Sequence, residues 1–339
     1  MKQSKWDKLD IYKKFRGENF SYVKKGKWYA IFPLVIILAG ILVVSIWNFN
    51  LGLDFTGGTV IEVSGFTSAT QRDDSRAEVK TLMKTKSVTY DLKNKNSEGK
   101  IGFSLMFQDI KGTDAEKKAF SDGLYDELVT LMPLADVQTA DTISASASSE
   151  KIMNTVTAVS IALIAILVYM LFRFKLSSGI AAIIALFHDV LMMLALTVIF
   201  RIQINAPFIA AVITVVGYSL NNTLVMFDRV REREKQNELN LKIEQVVDKS
   251  VKETFNRQMN TTITTIVPVL VLAIIGVPLI REFAAPILFG LISGAFSSLF
   301  VAPSLYVRFE NAKSAVRKNK EKKQANLPKT ASERKKLNT

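Results

Sequence analysis

The sequence predicts a membrane all-α bundle of six transmembrane helices that carries one extracytoplasmic α+β domain of ferredoxin-like type. Three observations predict it. Six runs are long and apolar enough to cross a bilayer, a polar segment at 48–150 follows the first run, and basic charge gathers at both chain ends. The chain has 339 residues with a formal net charge of +13. It has no cysteine, which excludes disulfides, thiolate metal sites, iron–sulfur ligation and a cysteine nucleophile. A single histidine, His188, leaves no basis for a histidine-rich metal site.

The apolar runs lie at about 29–47, 152–172, 179–200, 207–227, 261–280 and 284–306. A helix rises about 1.5 Å per residue, so each is long enough for a hydrocarbon core about 30 Å thick. Six such runs would leave a soluble fold of this size too little polar surface. The first run starts late, lacks a small-residue cleavage pattern and is bracketed by Tyr29 and Trp47, as an anchored span would be.

Charge sets the expected topology. Residues 1–28 carry nine Lys/Arg against three acids, and 308–339 carry eleven against three. Residues 48–150 carry eleven basic and sixteen acidic side chains. An even number of spans puts both ends on one side, and the positive-inside rule makes that side cytoplasmic. The expected plan is therefore a basic N-terminus (1–28), helix 1 (29–47), the external domain (48–150), helices 2–4 (151–227), a cytoplasmic amphipathic linker along the membrane (228–260), helices 5 and 6 (261–306) and a basic disordered tail (307–339). Basic tails beside spans point to topology and contact with membrane lipids; with an acidic external domain, no nucleic-acid partner is expected.

Within the external domain, strands are expected at Thr59–Val63, Val88–Leu92, Ile101–Phe107 and Val137–Ile143, and helices at Gln71–Lys84 and Ala115–Leu131. A polar turn at Asn94–Lys100 joins the middle strands, and Asp141–Glu150 reads as a Ser/Ala-rich linker. The βαββαβ order is that of a split βαβ unit. Its carboxylates are scattered, and the chain has no phosphate-cradling loop, so neither an enzyme nor an ATPase is expected and no cofactor or metal is implied.

The chemistry is expected inside the membrane. His188–Asp189 sits near the middle of the third span, where an ionisable group must face the bundle interior, a partner or water. Asp189 can hold a proton or accept a hydrogen bond; His188 can relay a proton or satisfy a buried donor. In the fourth span Gly217, Ser219 and Thr223 permit close helix approach, Asn221 and Asn222 can bond across an interface, Tyr218 lies between them, and Asp228 and Arg229 can pair at its cytoplasmic end. The fifth span opens with Asn260, Thr261, Thr264 and Thr265, whose hydroxyls either face a water path or bond back to their own helix. The last span repeats the small residues at Gly290, Gly294, Ser297 and Ser298. Asp54, Gly57 and Gly58, just after the first span, form a turn that is either structural or a site of movement. In one scheme these features form a polar seam through spans three to five, and proton entry changes helix packing and moves the external domain.

Taken together, the six spans, the loop after the first, Leu53–Asp54–Phe55–Thr56–Gly57–Gly58–Thr59, Gly217–Tyr218–Ser219–Leu220–Asn221–Asn222, Phe227–Asp228–Arg229 with Arg231–Glu232, Asn256–Arg257 and Gly294–Ala295–Phe296–Ser297–Ser298 resemble the SecF family of bacterial protein-export membrane subunits over about 20–306. His188–Asp189 matches the family's pair in the third span. The resemblance implies half of a pseudo-symmetric RND-like bundle with SecD as the other half. It also implies association with the SecYEG channel, contact with the translocating polypeptide, and use of the proton motive force in export. The family's fourth-span pattern ends in a carboxylate implicated in proton coupling, and here that position is Asn222, which keeps the shape and loses the titration. Two other readings stand beside this one: a stand-alone RND-like proton-coupled exporter, and a non-transporting structural subunit of an export complex.

Overall fold

The computed structural model describes residues 20–325 apart from 25, 98–99, 109, 111, 144 and 237–240. The basic segment before residue 20 and the tail after Ala325 lie outside the described residues. Among the described residues, six helices are long and apolar enough to cross a membrane.

The first, α1 (Gly26–Trp47), leads into a single-turn helix, α2 (Leu53–Thr56). The external domain follows as β1 (Gly58–Phe66), α3 (Ala69–Thr85), β2 (Tyr90–Ser97), β3 (Lys100–Phe107), α4 (Asp114–Leu131) and β4 (Asp136–Ile143). The strands form one antiparallel sheet in the order β2-β3-β1-β4, the topology of a ferredoxin-like unit. β1 alternates as a half-covered strand should: Thr59, Ile61 and Val63 are buried, while Val60, Glu62 and Ser64 lie between them on the other face. The buried set meets Phe103, Leu105, Val79, Met83, Leu124 and Leu128, so both helices cover the same face. The helices start where the sequence supplies caps. Ser68 accepts from Gln71 N at 3.2 Å, and Thr113 with Glu116 forms a capping box.

The bundle continues with α5 (Ala145–Arg173), α6 (Leu176–Ile199), α7 (Ala206–Lys235), α8 (Ile243–Ile275), α9 (Pro278–Phe296), a π-helical turn (Ser297–Val301) and α10 (Ala302–Ala325). α6 is half buried, and Ala181, Ala182, Ala185 and Asp189 mark its buried face. α1 and α5 expose Phe32, Leu38, Ile161 and Ile164 among other large apolar side chains, as surfaces that face lipid or another apolar partner do.

Five local expectations change. Asn94–Ser97 extends β2 in register with β3 rather than forming a turn. The linker expected at Asp141–Glu150 is taken up by the end of β4 and the start of α5, because Ser and Ala tolerate helix when tertiary packing continues it. Residues 228–260 do not form a separate linker helix: α7 runs on to Lys235 and α8 begins at Ile243, with Arg229 and Arg233 paired to Glu253 between them. α8 stops at Ile275, since Gly276, Val277 and Pro278 break the expected fifth span before residue 280. The tail expected to be disordered from residue 307 is helical as far as Ala325.

Two contacts fix the external domain on the bundle. The chain leaving α1 bridges the chain entering α7, with Gly52 N to Ile204 O and Ile204 N to Asn50 O both at 2.8 Å. Lys93 on β2 donates to Glu282 at the start of α9 and to Gln203 at 2.8 Å, while Asn205 donates to the other Glu282 oxygen at 2.9 Å.

Candidate functional site

The centre of the bundle is built around Asp189, which has no exposed surface. Each carboxyl oxygen holds two partners. Oδ1 accepts from Ser293 Oγ at 2.8 Å and lies 3.0 Å from His188 Nδ1; Oδ2 accepts from Ser297 Oγ at 2.6 Å and from Ser219 Oγ. The group therefore ties α6 to α7, α9 and the π-helical turn. Small residues allow the approach: a Cβ on Gly290 would meet Val215 Cγ2 at 2.4 Å, and one on Gly294 would meet Ser219 Cβ at 3.1 Å. π-helical turns inside α-helices recur at functional positions, and this one sets Ser297 and Ser298 facing different partners.

Ser298 continues the polar seam. It donates to Gln258 Oε1 at 3.1 Å, and Gln258 donates to Thr254 at 3.1 Å on α8. Tyr218 donates to Thr262 at 2.6 Å, joining α7 to the same stripe. Asn222, one turn past Ser219, is buried, and its amide nitrogen has no hydrogen-bond partner in the structure; the same holds for His188 Nε2. Buried polar atoms without partners are costly and mark places where another group or water is needed.

A hydroxyl can donate or accept. Three serines around one carboxyl can thus serve it without a proton, as donors, or with one, when a serine turns to accept from the acid. The arrangement suits a proton-holding site sheltered from lipid.

Other expected residues lie elsewhere. Thr223 is buried on α7, but Gly217 and Asn221 are exposed, and a Cβ on Gly217 would meet nothing within 4 Å; among the described residues Gly217 permits no helix approach. Thr261, Thr264 and Thr265 bond back to carbonyls of their own helix, and Asn260 is exposed beside them. Asp228 does not pair with Arg229. Asp228 lies 3.5 Å from Arg173, and Arg229 reaches Glu232 and Glu253, each at 2.5 Å. Both stand about 9 Å or more along the α7 axis from Asn222, so neither joins the Asp189 cluster. Ser293 and Thr254 are the members that the sequence did not single out; their spacing of four from Ser297 and from Gln258 was the available signal.

The turn after α1 is a second polar node. Asp54 accepts from Lys151 on α5 and from Ala206 N, the first residue of α7, at 3.0 Å. Asn205 caps the same helix through Phe208 N at 3.1 Å. Burial pushes the Asp54 carboxyl up, but the bonds from Lys151 and Ala206, with the lysine charge, outweigh it and hold the group below its ordinary value. Gly57 and Gly58 take φ of 72° and 142°, and a Cβ on Gly58 would meet Phe107 O at 2.2 Å, so the glycine pair is required by the turn into β1.

Comparison with known proteins places both nodes in one family. Residues 126–312 match the family described as protein export membrane protein SecD/SecF, C-terminal, and residues 49–64 match the SecD/SecF GG motif. The protein translocase subunit SecF of Petrotoga mobilis is 31% identical over 292 residues, which cover 85% of this chain and 95% of that one. The subunit SecDF of Bacillus subtilis is 30% identical over 86% of this chain but 38% of its own length. A crystal structure of SecDF, a translocon-associated membrane protein from Thermus thermophilus, superposes with a TM-score of 0.69 at 28% identity, covering 87% of this chain and 39% of that one. The chain thus spans about two fifths of the fused relatives and nearly all of the separate SecF subunit. With its six apolar helices it is a multi-pass membrane protein. The chain belongs to the SecD/SecF family of protein export membrane proteins.

Proposed function

We propose that the chain is the SecF-type half of a proton-coupled unit that assists polypeptide export beside the SecYEG channel, and that Asp189 is its proton-holding group. The observation that carries this reading is a fully buried carboxyl on α6 whose two oxygens are served by the neighbouring His188 and by three serine hydroxyls from α7, α9 and the π-helical turn. With Asn222 in place of the family's carboxylate, Asp189 is the carboxyl group at the centre of the seam among the described residues, with His188 beside it.

A SecD-type partner is supported by the outward polar face of α7 and α8. Gly217, Asn221, Asn260 and Thr264 are exposed at membrane depth, where polar groups favour protein over lipid. Fusion of the two halves in SecDF relatives supports the same pairing. The charge distribution supports cytoplasmic termini and an extracytoplasmic 48–150 domain. The Asp54 node supports a mechanical route, since it joins the base of that domain to the start of α7, the helix that presents Ser219 to Asp189. A proton crossing 100 mV supplies about 2.3 kcal/mol, comparable to a few of these hydrogen bonds.

The test is export into membrane vesicles holding SecD, the channel and either the parent chain or Asp189→Asn, with and without a proton gradient. Asp189→Asn is expected to abolish the gradient-dependent part and leave complex assembly intact. An unchanged gradient dependence would overturn the assignment, and gradient-independent export by the parent chain would favour a structural subunit.

A further inference from the structure

At the end of the bundle where α1 begins, a cavity of about 310 Å³ opens between the start of α1 and the π-helical turn and first part of α10. Lys24 and Arg308 line it, with Trp28, Gly26 and Ser304 between them, and among the described residues no acidic one does. Both cationic side chains are exposed, and neither forms an ion pair among the described residues. Asp248 on α8 is taken up by the strap before α1, and Glu310, two residues past Arg308, lies 4.0 Å from Lys313.

The cavity straddles a boundary in surface chemistry. Just past Trp28, α1 exposes Ile31, Phe32 and Leu34, an apolar surface suited to lipid, and before Trp28 the chain is cationic. On α10 the same change occurs at Arg308, beyond which the helix is mainly basic and exposed. The wall is fixed in place. Asp248 on α8 accepts from Ser21 Oγ at 2.5 Å, Tyr22 N at 2.8 Å and Val23 N at 3.2 Å, which sets Lys24 at the rim. Tyr22 is fully buried and its ring lies 5.4 Å from that of Phe300. Gly26 brings the two helices into contact at the floor, where a Cβ would meet Ser304 at 2.7 Å.

We propose that this cavity binds the phosphate-bearing headgroup of an anionic phospholipid. Arg308 offers a forked donor and Lys24 a point charge to the phosphate, while Trp28 takes the interfacial position beside the acyl chains. An occupant touches both α1 and α10, so it ties the first and last membrane helices together. The inference does not depend on the proton-coupling reading, because it concerns residues remote from Asp189.

The test uses the full chain purified in detergent and exchanged into phosphatidylcholine nanodiscs with or without phosphatidylglycerol, with retained lipid counted by native mass spectrometry. The double variant Lys24→Gln/Arg308→Gln is compared with Lys313→Gln/Arg317→Gln, which removes the same charge farther along α10. The first is expected to lower phosphatidylglycerol retention about tenfold or more, and the second to leave it unchanged. Equal losses in both would overturn the proposal in favour of unspecific charge attraction. Displacement of the lipid by inorganic phosphate or glycerol phosphate at matching concentration would overturn it in favour of a soluble anion. Unfolding temperature without lipid is read alongside; if the double variant is misfolded, Lys24→Gln alone is expected to lower retention severalfold, and no loss with that variant refutes the site.

Discussion

Replacing Gly290 by alanine tests the packing that brings the serines to Asp189. The added Cβ would stand 2.4 and 2.5 Å from the two Val215 methyls and 2.9 Å from its Cβ. Carbon atoms rest about 3.5–4.0 Å apart, so α9 and α7 must separate by about 1 Å locally. Ser219 from α7 and Ser297 from the π-helical turn that continues α9 meet on the same Asp189 oxygen, and a separation of about 1 Å takes one of these bonds past the range of a hydrogen bond. Overpacking costs about 1–3 kcal/mol and the lost bond about 1–2 more, so the variant is expected to lose about 2–5 kcal/mol. Thermal unfolding in detergent should fall by several degrees, together with gradient-dependent export. Val215→Ala removes the two methyls in closest contact and is expected to recover most of both losses in the double variant. A Gly290→Ala chain as stable as the parent, or a double variant no better than the single one, would refute the reasoning.

Three further outcomes follow from the nodes outside the membrane core. Asp54→Asn is expected to cost about 1 kcal/mol at neutral pH, measured by chemical unfolding of the detergent-solubilised chain, because the start of α7 loses part of its cap and Lys151 its partner. The folded Asp54 is held below its unfolded value, so its stabilisation is complete above the unfolded pKa and is lost as pH falls through the folded one; parent and variant should converge in acid. Lys93→Ala is expected to loosen the external domain from the bundle. In a chain without native cysteines, a Tyr90→Cys/Ile202→Cys pair lining the same external cavity should cross-link less efficiently once Lys93 no longer reaches Glu282 and Gln203. Gly58→Ala is expected to prevent the external domain from forming, read as loss of folded protein on expression, since its Cβ cannot clear Phe107 O.

The spans and the ferredoxin-like order were legible because each rests on periodicity or length. The apolar run of α1 and the alternation of Thr59, Ile61 and Val63 leave little choice of element. Element ends were less legible where polar sequence continues a helix, as after Asp228 in α7 and before Asn256 in α8, because propensity and surface ion pairs extend it beyond the apolar stretch. His188, Asp189 and Asn222 stood out because polar groups are costly inside a membrane. Their partners did not. Whether Ser219 and Ser293 or Asn221 and Thr264 face the bundle interior depends on how each helix is rotated, and hydropathy averages that rotation away. The division of small residues was hidden for the same reason: Gly290 and Gly294 press against α7, and Gly217 faces outward.

Infrared difference spectroscopy of the chain reconstituted with its SecD-type partner, recorded across a pH step, reads protonation of a buried carboxylic acid most directly. The account predicts a carboxyl C=O band that disappears in Asp189→Asn and shifts when Ser297→Ala removes one of its hydrogen bonds, with Asn222→Asp adding a second band. A band that persists unchanged in Asp189→Asn would contradict the placement of the proton on Asp189.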